Sequence, residues 1–157
     1  DHTDRNPSMK TFRPLAIALT LSFTAQAATA MGMESRSQSV KSHAPPGITD
    51  EFYACVDRAG SDTNAAANCL TEEHTRQDDR LNAKYRALLG KLSPKAKDEL
   101  INAERAWLNF QEKNGKLESA VYGSEAVANL QVTQNEIFRI CERANALDDY
   151  LFMANLQ

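Results

Sequence analysis

Residues 55–85, CVDRAGSDTNAAANCLTEEHTRQDDRLNAKY, join two cysteines to a long helical pattern laced with polar side chains. Gly60 interrupts the chain, and Ser61, Asp62 and Thr63 each offer an N-cap for a helix that should run to about Leu89. Apolar residues recur at the three-and-four spacing of one helix face: Cys69 and Leu70, then Leu81, Tyr85, Leu88 and Leu92. Between them Glu73, His74, Gln77 and Asp78 fall on the same side, so a polar patch interrupts the seam.

Working upstream, Thr49 can cap a short helix that places Ile48, Phe52, Cys55 and Ala59 on one face and ends at Gly60. Downstream, Gly90 and Ser93-Pro94 punctuate the chain, with Ser93 as N-cap and Pro94 at the first helical position, where its missing N–H costs nothing. A third helix carries Ala96, Leu100, Ala103, Trp107, Phe110, Asn114, Leu117 and Val121 as a core-facing stripe, with Gly115 a candidate bend. Tyr122-Gly123-Ser124 reads as a turn with a new N-cap. The fourth helix shows Val127, Leu130, Gln134, Ile137, Cys141, Ala144 and Leu151 at the same spacing. Strand signals and hairpin turn pairs are absent. The pattern predicts an all-α fold: an antiparallel bundle of about four helices, sequential neighbours packed through short connections, the first helix short and tied to the second.

The amino-terminal part reads differently. Residues 1–8 precede a Met-Lys start and look like an upstream extension or cloning scar. Residues 9–30 read as a signal peptide, with Lys10 and Arg13 before the apolar run 15–23 and small residues after it. Cleavage after Ala27 or Ala30 fits, and the apolar run is shorter than the ~20 residues of a spanning helix. Residues 31–47, rich in Ser and Gln and containing Pro45-Pro46, show no helical or strand period and read as a flexible leader. Residues 48–157 are then the folded unit, about a hundred residues with one modest core. The expected location is periplasmic or secreted, with no membrane anchor after cleavage.

Export bears on the cysteines. Cys55 and Cys69 are close in sequence, and an oxidising compartment favours a disulfide over two buried thiols. Such a bridge would stabilise by roughly 3 kcal/mol. Cys141 is left over, and its place on the apolar stripe argues for a small buried hydrophobe rather than a reactive thiol. The net charge of −3 becomes −4 if residues 1–30 are removed, which disfavours nucleic acid as a partner because no basic stripe exists.

Catalytic devices are thin. His74 and Asp78, four apart with Glu73 beside them, could offer metal ligands, but without a second matching pair the plainer reading is a polar helix face beside Arg76 and Arg80. Glu73 and Asp78 as a hydrolytic carboxylate pair would need a cleft that a slender bundle offers poorly. Asp78, Asn82 and Tyr85 turned inward against Glu104, Arg105 or Gln111 would instead fix the register. No catalytic residue, metal or cofactor is expected.

In order, the chain presents C-x13-C-L-x2-E (Cys55, Cys69-Leu70, Glu73), D-x2-L-N-x2-Y (Asp78, Leu81-Asn82, Tyr85), S-P-x-x-K (Ser93-Pro94, Lys97), A-x-x-A-W-x2-F (Ala103, Ala106-Trp107, Phe110) and R-A-x2-L (Arg143-Ala144, Leu147). This series resembles the LprI-like lysozyme-inhibitor domain family of small exported bacterial proteins, over nearly all of residues 52–151. The resemblance implies an all-helical, cysteine-stapled envelope protein whose signature residues are mainly structural. Its partner would be lysozyme or another cell-wall hydrolase; the alternative is a structural or stress-related module that binds another envelope protein. Family members commonly carry a cysteine shortly after W-x2-F and another before R-A-x2-L. Here Gly115 stands near the first place and only a shifted Cys141 near the second, which implies that the second family disulfide is lost. Gln111-Glu112 also stand where the family often has Arg-Asp.

Overall fold

The computed structural model describes residues 35–156. The segments read from the sequence as an upstream extension and a signal peptide, and the first residues of the stretch read as a leader, lie outside the described residues, as does Gln157. Five helices follow one another: α1 (Arg36–Lys41), α2 (Asp50–Ala59), α3 (Thr63–Lys91), α4 (Pro94–Tyr122) and α5 (Ala126–Asn155). No strand occurs among the described residues, and no helix there is long and apolar enough to cross a membrane.

The starts of the helices follow from short polar side chains. The Thr49 hydroxyl accepts from the Phe52 N–H at 3.2 Å, Asp62 accepts from Asn64 and Ala65, and Ser93 accepts from Ala96 ahead of Pro94. Each cap satisfies donors that the helix leaves orphaned, at about 1 kcal/mol apiece. Two expectations shift. The N-cap of α5 is Glu125 rather than Ser124, with no side-chain capping bond, and α4 runs unbroken through Gly115.

The stretch read as a leader without period contains α1. Ser35 caps it, and Ser37 donates through both its N–H and its hydroxyl to Asp57 of α2. A six-residue helix is too short to display a period, so its signal lies in the cap and not in the spacing.

The packing also departs from the expected order of neighbours. The dominant contact joins α3 to α5, which are not consecutive, while α4 packs on α5 and α2 on α3. His74 faces Glu136, Arg80 faces Asn145 and Lys84 faces Asp148, so α3 and α5 run parallel. Glu104 meets Arg143 and Glu118 meets Arg139, so α4 runs antiparallel to α5. Short loops force reversal of direction but do not force contact.

Two buried clusters result. One gathers Ile48, Phe52, Val56, Cys69, Leu70, Ile137 and Cys141 at the α2 end. The other gathers Leu81, Leu88, Leu100, Ile140, Ala144 and Leu147, with Tyr85 and Trp107 packed against it. Burial of a side chain such as Phe52 or Ile137 is worth about 1.5–3 kcal/mol. Leu100 is the one buried residue of α4. The expected core stripe on this helix is therefore corrected in its second half, where Phe110, Leu117 and Val121 are 52%, 60% and 67% exposed, and Val127 of α5 is exposed too.

Candidate functional site

The polar patch on α3 splits into two sites offset by about 100° around the helix. Glu73 and Gln77, one turn apart, are 0% and 1% exposed and continue the line of Cys69 and Leu70 into the core. The Glu73 carboxylate accepts from the Thr49 N–H at 3.1 Å, the Thr49 hydroxyl at 2.6 Å, Arg76 Nε at 2.8 Å and Gln77 Nε2 at 2.8 Å. All four bonds go to the base of α2 or to α3 itself. The same threonine that caps α2 thus anchors it to α3.

Gln77 also donates to the Gly47 carbonyl at 2.8 Å, while Asn145 and the Cys141 thiol donate to the Pro46 carbonyl at 2.8 and 3.3 Å. Arg80 closes the ring by donating to Gln77, Cys141 and Asn145. Gly47 is required here: its φ is +107°, and a Cβ would stand 2.8 Å from the Arg80 guanidinium and 3.2 Å from Cys141 Sγ. The burial of Glu73 is tolerated because its carboxylate accepts four hydrogen bonds.

Cys55 and Cys69 form a disulfide between α2 and α3, with Cα atoms 5.7 Å apart. Cys141 is free and buried. Burial pushes its thiol pKa up, while the adjacent Arg80 guanidinium pulls the other way.

The second site is a groove of about 460 Å³ between α3 and α4 with α5 at its base. Asp78, Leu81, Asn82 and Tyr85 sit at i, i+3, i+4 and i+7, a single helix face, and all four line it. Trp107 and Glu104 of α4 stand opposite, and Ile140 of α5 lies beneath. The groove exists because α4 leans on α5 without closing on α3. Its volume falls within the ~300–1,000 Å³ of ordinary ligand sites, which corrects the expectation that a slender bundle has little concavity.

Asp78 and Asn82 do not turn inward as a register lock. Both are exposed, and the Asn82 amide donates to the Asp78 carboxylate at 3.0 Å and to its carbonyl at 2.9 Å. Register is held elsewhere: Arg143 donates to Glu104 at 2.8 Å, and Arg139 pairs with Glu118 at 2.6 Å and reaches Gln111. Phe110 is half exposed and is not part of the groove's lining.

The candidate metal set is divided. Glu73 is buried against Thr49, whereas His74 and Asp78 line the groove, with His74 Nε2 3.7 Å from Glu136. No group of three metal-ligating side chains gathers among the described residues. The sequence pattern placed Arg80 on a polar helix face and did not single out Asn145 or the Pro46-Gly47 carbonyls, which the ring brings together. The signal for the buried ring was the continuous spacing 66, 69, 70, 73, 77, 81, in which Glu and Gln take core positions.

Against known families, the profile described as Lysozyme inhibitor LprI matches residues 55–147. That span runs from the first half-cystine to the last leucine of the lower core. No curated protein and no solved structure matches the chain.

Proposed function

The chain belongs to the LprI lysozyme-inhibitor family, and from that premise we propose that it is an exported, non-catalytic protein that binds and inhibits lysozyme or a related peptidoglycan hydrolase. The observation that carries the reading is the convergence of Asp78, Asn82, Tyr85 and Trp107, the residues that carry the family resemblance, on one open groove, where the two rings also rest on the core beneath. Among the described residues the lining holds carboxylates, amides and two aromatic rings but no serine, threonine or cysteine.

Export rests on residues 9–30 acting as a signal peptide, and the Cys55–Cys69 bridge suits an oxidising compartment. Fractionation of expressing cells with amino-terminal sequencing should find an envelope form beginning after Ala27 or Ala30; a cytoplasmic, uncleaved chain would refute export. The inhibition itself is tested by adding purified protein in stoichiometric excess to a muramidase turbidity assay. Lysis should slow, and unchanged rates across several lysozyme types would remove the reading.

A second reading, an envelope interaction module without lysozyme inhibition, is favoured by the exposed Phe110, Leu117 and Val121. One saturable partner recovered from envelope extracts, together with unchanged turbidity curves, would select it.

A further inference from the structure

We propose that the α3–α4 groove receives a protruding basic segment of a partner protein, with an arginine or lysine stem lying along Trp107 and Tyr85 and its cationic head between Asp78 and Glu136. This deepens the inhibitory reading, resting on it for the partner's identity but not for the chemistry of the pocket.

The lining suits a long side chain with a charged tip. Its base is apolar, formed by Leu81 and Ile140, and its walls carry two aromatic rings. Arginine and lysine bury their stems on such surfaces while their heads stay near water or a carboxylate, and an aromatic face adds cation–π attraction.

Charge selects among possible occupants. Asp78 has no cationic partner among the described residues, since its bond is to the neutral Asn82 amide. Among the same residues Glu136 has only His74, which is charged only when protonated. Glu104, by contrast, is already neutralised by Arg143. Among the described residues Arg105 is the one permanent cation on the lining, and it sits on α4. The α3 and α5 sides therefore present carboxylates that lack a fixed counter-ion. An anionic ligand would be repelled there. A neutral saccharide could use the amides and rings but would strip water from Asp78 without supplying charge, which is unfavourable. A guanidinium or ammonium group repays that desolvation through charge-assisted hydrogen bonds.

Trp107 is the only tryptophan in the chain, so its indole N–H resonance reports on this groove without assignment. The full chain would be titrated with capped Gly-Arg-Gly at low salt, about 10 mM, where screening is weakest. Capped Gly-norleucine-Gly and an N-acetylglucosamine trimer serve as the neutral arms. The arginine peptide should shift Trp107 saturably. The norleucine peptide should bind at least tenfold more weakly, and Asp78→Asn, a surface change that leaves the fold's circular dichroism intact, should weaken the arginine peptide by about tenfold. Equal binding of both peptides, a shift with the saccharide alone, or no saturable shift would overturn the proposal. The two readings fail separately. Arginine-peptide binding with unaltered lysozyme turbidity curves keeps the groove and refutes inhibition, whereas inhibition without peptide binding puts the inhibitory surface elsewhere.

Discussion

The end of the molecule built from α2 and the first half of α3 and the far half of α4 are written in the same helical spacing, yet they bury it to opposite extents. At the first, Phe52, Cys69, Ile137 and Cys141 are almost wholly inaccessible, a disulfide joins the helices and a buried carboxylate gathers four donors. At the second, Phe110, Leu117 and Val121 recur at the same three-and-four spacing with nothing over them among the described residues. A periodic stripe specifies a face; burial needs a second layer, and α3 packs extensively against α2 and α5 but not against the length of α4. In place of an apolar seam, the far half of α4 is held by Arg139 with Glu118, and the near half adds Arg143 with Glu104, pairs that are each less than one-fifth exposed. Ion pairs fix register without demanding close approach of backbones, and the groove survives beside them.

If the contrast is right, the largest loss comes from the buried end. Glu73→Ala leaves Thr49, Arg76 and Gln77 facing a void, and removing one partner of a buried charged network costs about 3–5 kcal/mol. Urea denaturation should show that loss in the midpoint at unchanged slope. A loss under about 1 kcal/mol would mean that the ring around Glu73 does not organise this end. Next in size is the clip. Cys55→Ala with Cys69→Ala opens a loop of fourteen residues' separation and should cost about 3 kcal/mol. Amide exchange should rise mainly in α1, α2 and the start of α3, and a uniform rise through α4 would show that the two ends are not independent.

The buried end was the more legible of the two in the sequence, for physical reasons. Two cysteines fourteen apart, Gly60 between them and caps at Thr49 and Asp62 all act within one or two helical turns, so local spacing suffices to place them. The parallel pairing of α3 with α5 was not legible, because it depends on which of two possible faces of α3 each later helix takes. The same limitation hid the fate of Asp78 and Asn82: the spacing put them on one face with Leu81 and Tyr85 but not on which side of the packing seam that face would lie. Glu73, four positions after the half-cystine Cys69 and in line with it, carried its burial in its position. Arg80 carried none, since its partners Cys141 and Asn145 lie more than sixty residues away.

On the open half the expected effects are small, and their smallness is informative. Leu117→Ala or Phe110→Ala should change stability by no more than about 0.5 kcal/mol, where a buried leucine such as Leu147 truncated to alanine should cost about 2–5 kcal/mol. A loss of 2 kcal/mol at Leu117, measured on monomeric protein, would show that this face is covered in solution.

The smallest effect concerns pH and again separates the ends. Burial raises the Cys141 thiol pKa in the folded protein, with Arg80 opposing and Glu73 and Glu142 assisting. Below the ordinary thiol pKa of about 8.5 both folded and unfolded forms hold the proton, so Cys141 adds no pH dependence. Above it the unfolded chain has lost a proton that the folded chain keeps, and stability must fall as pH rises until the folded thiol also ionises. Tyr53, whose pKa is raised by burial and by Glu73, pulls in the same direction at still higher pH. Cys141→Ser keeps a hydroxyl able to donate to the Pro46 carbonyl but does not titrate. Between about pH 8 and 10 the wild-type melting temperature should therefore decline more steeply than that of the serine variant. Parallel curves would mean that water reaches the thiol, and with it the interior that the clipped helices are built to close.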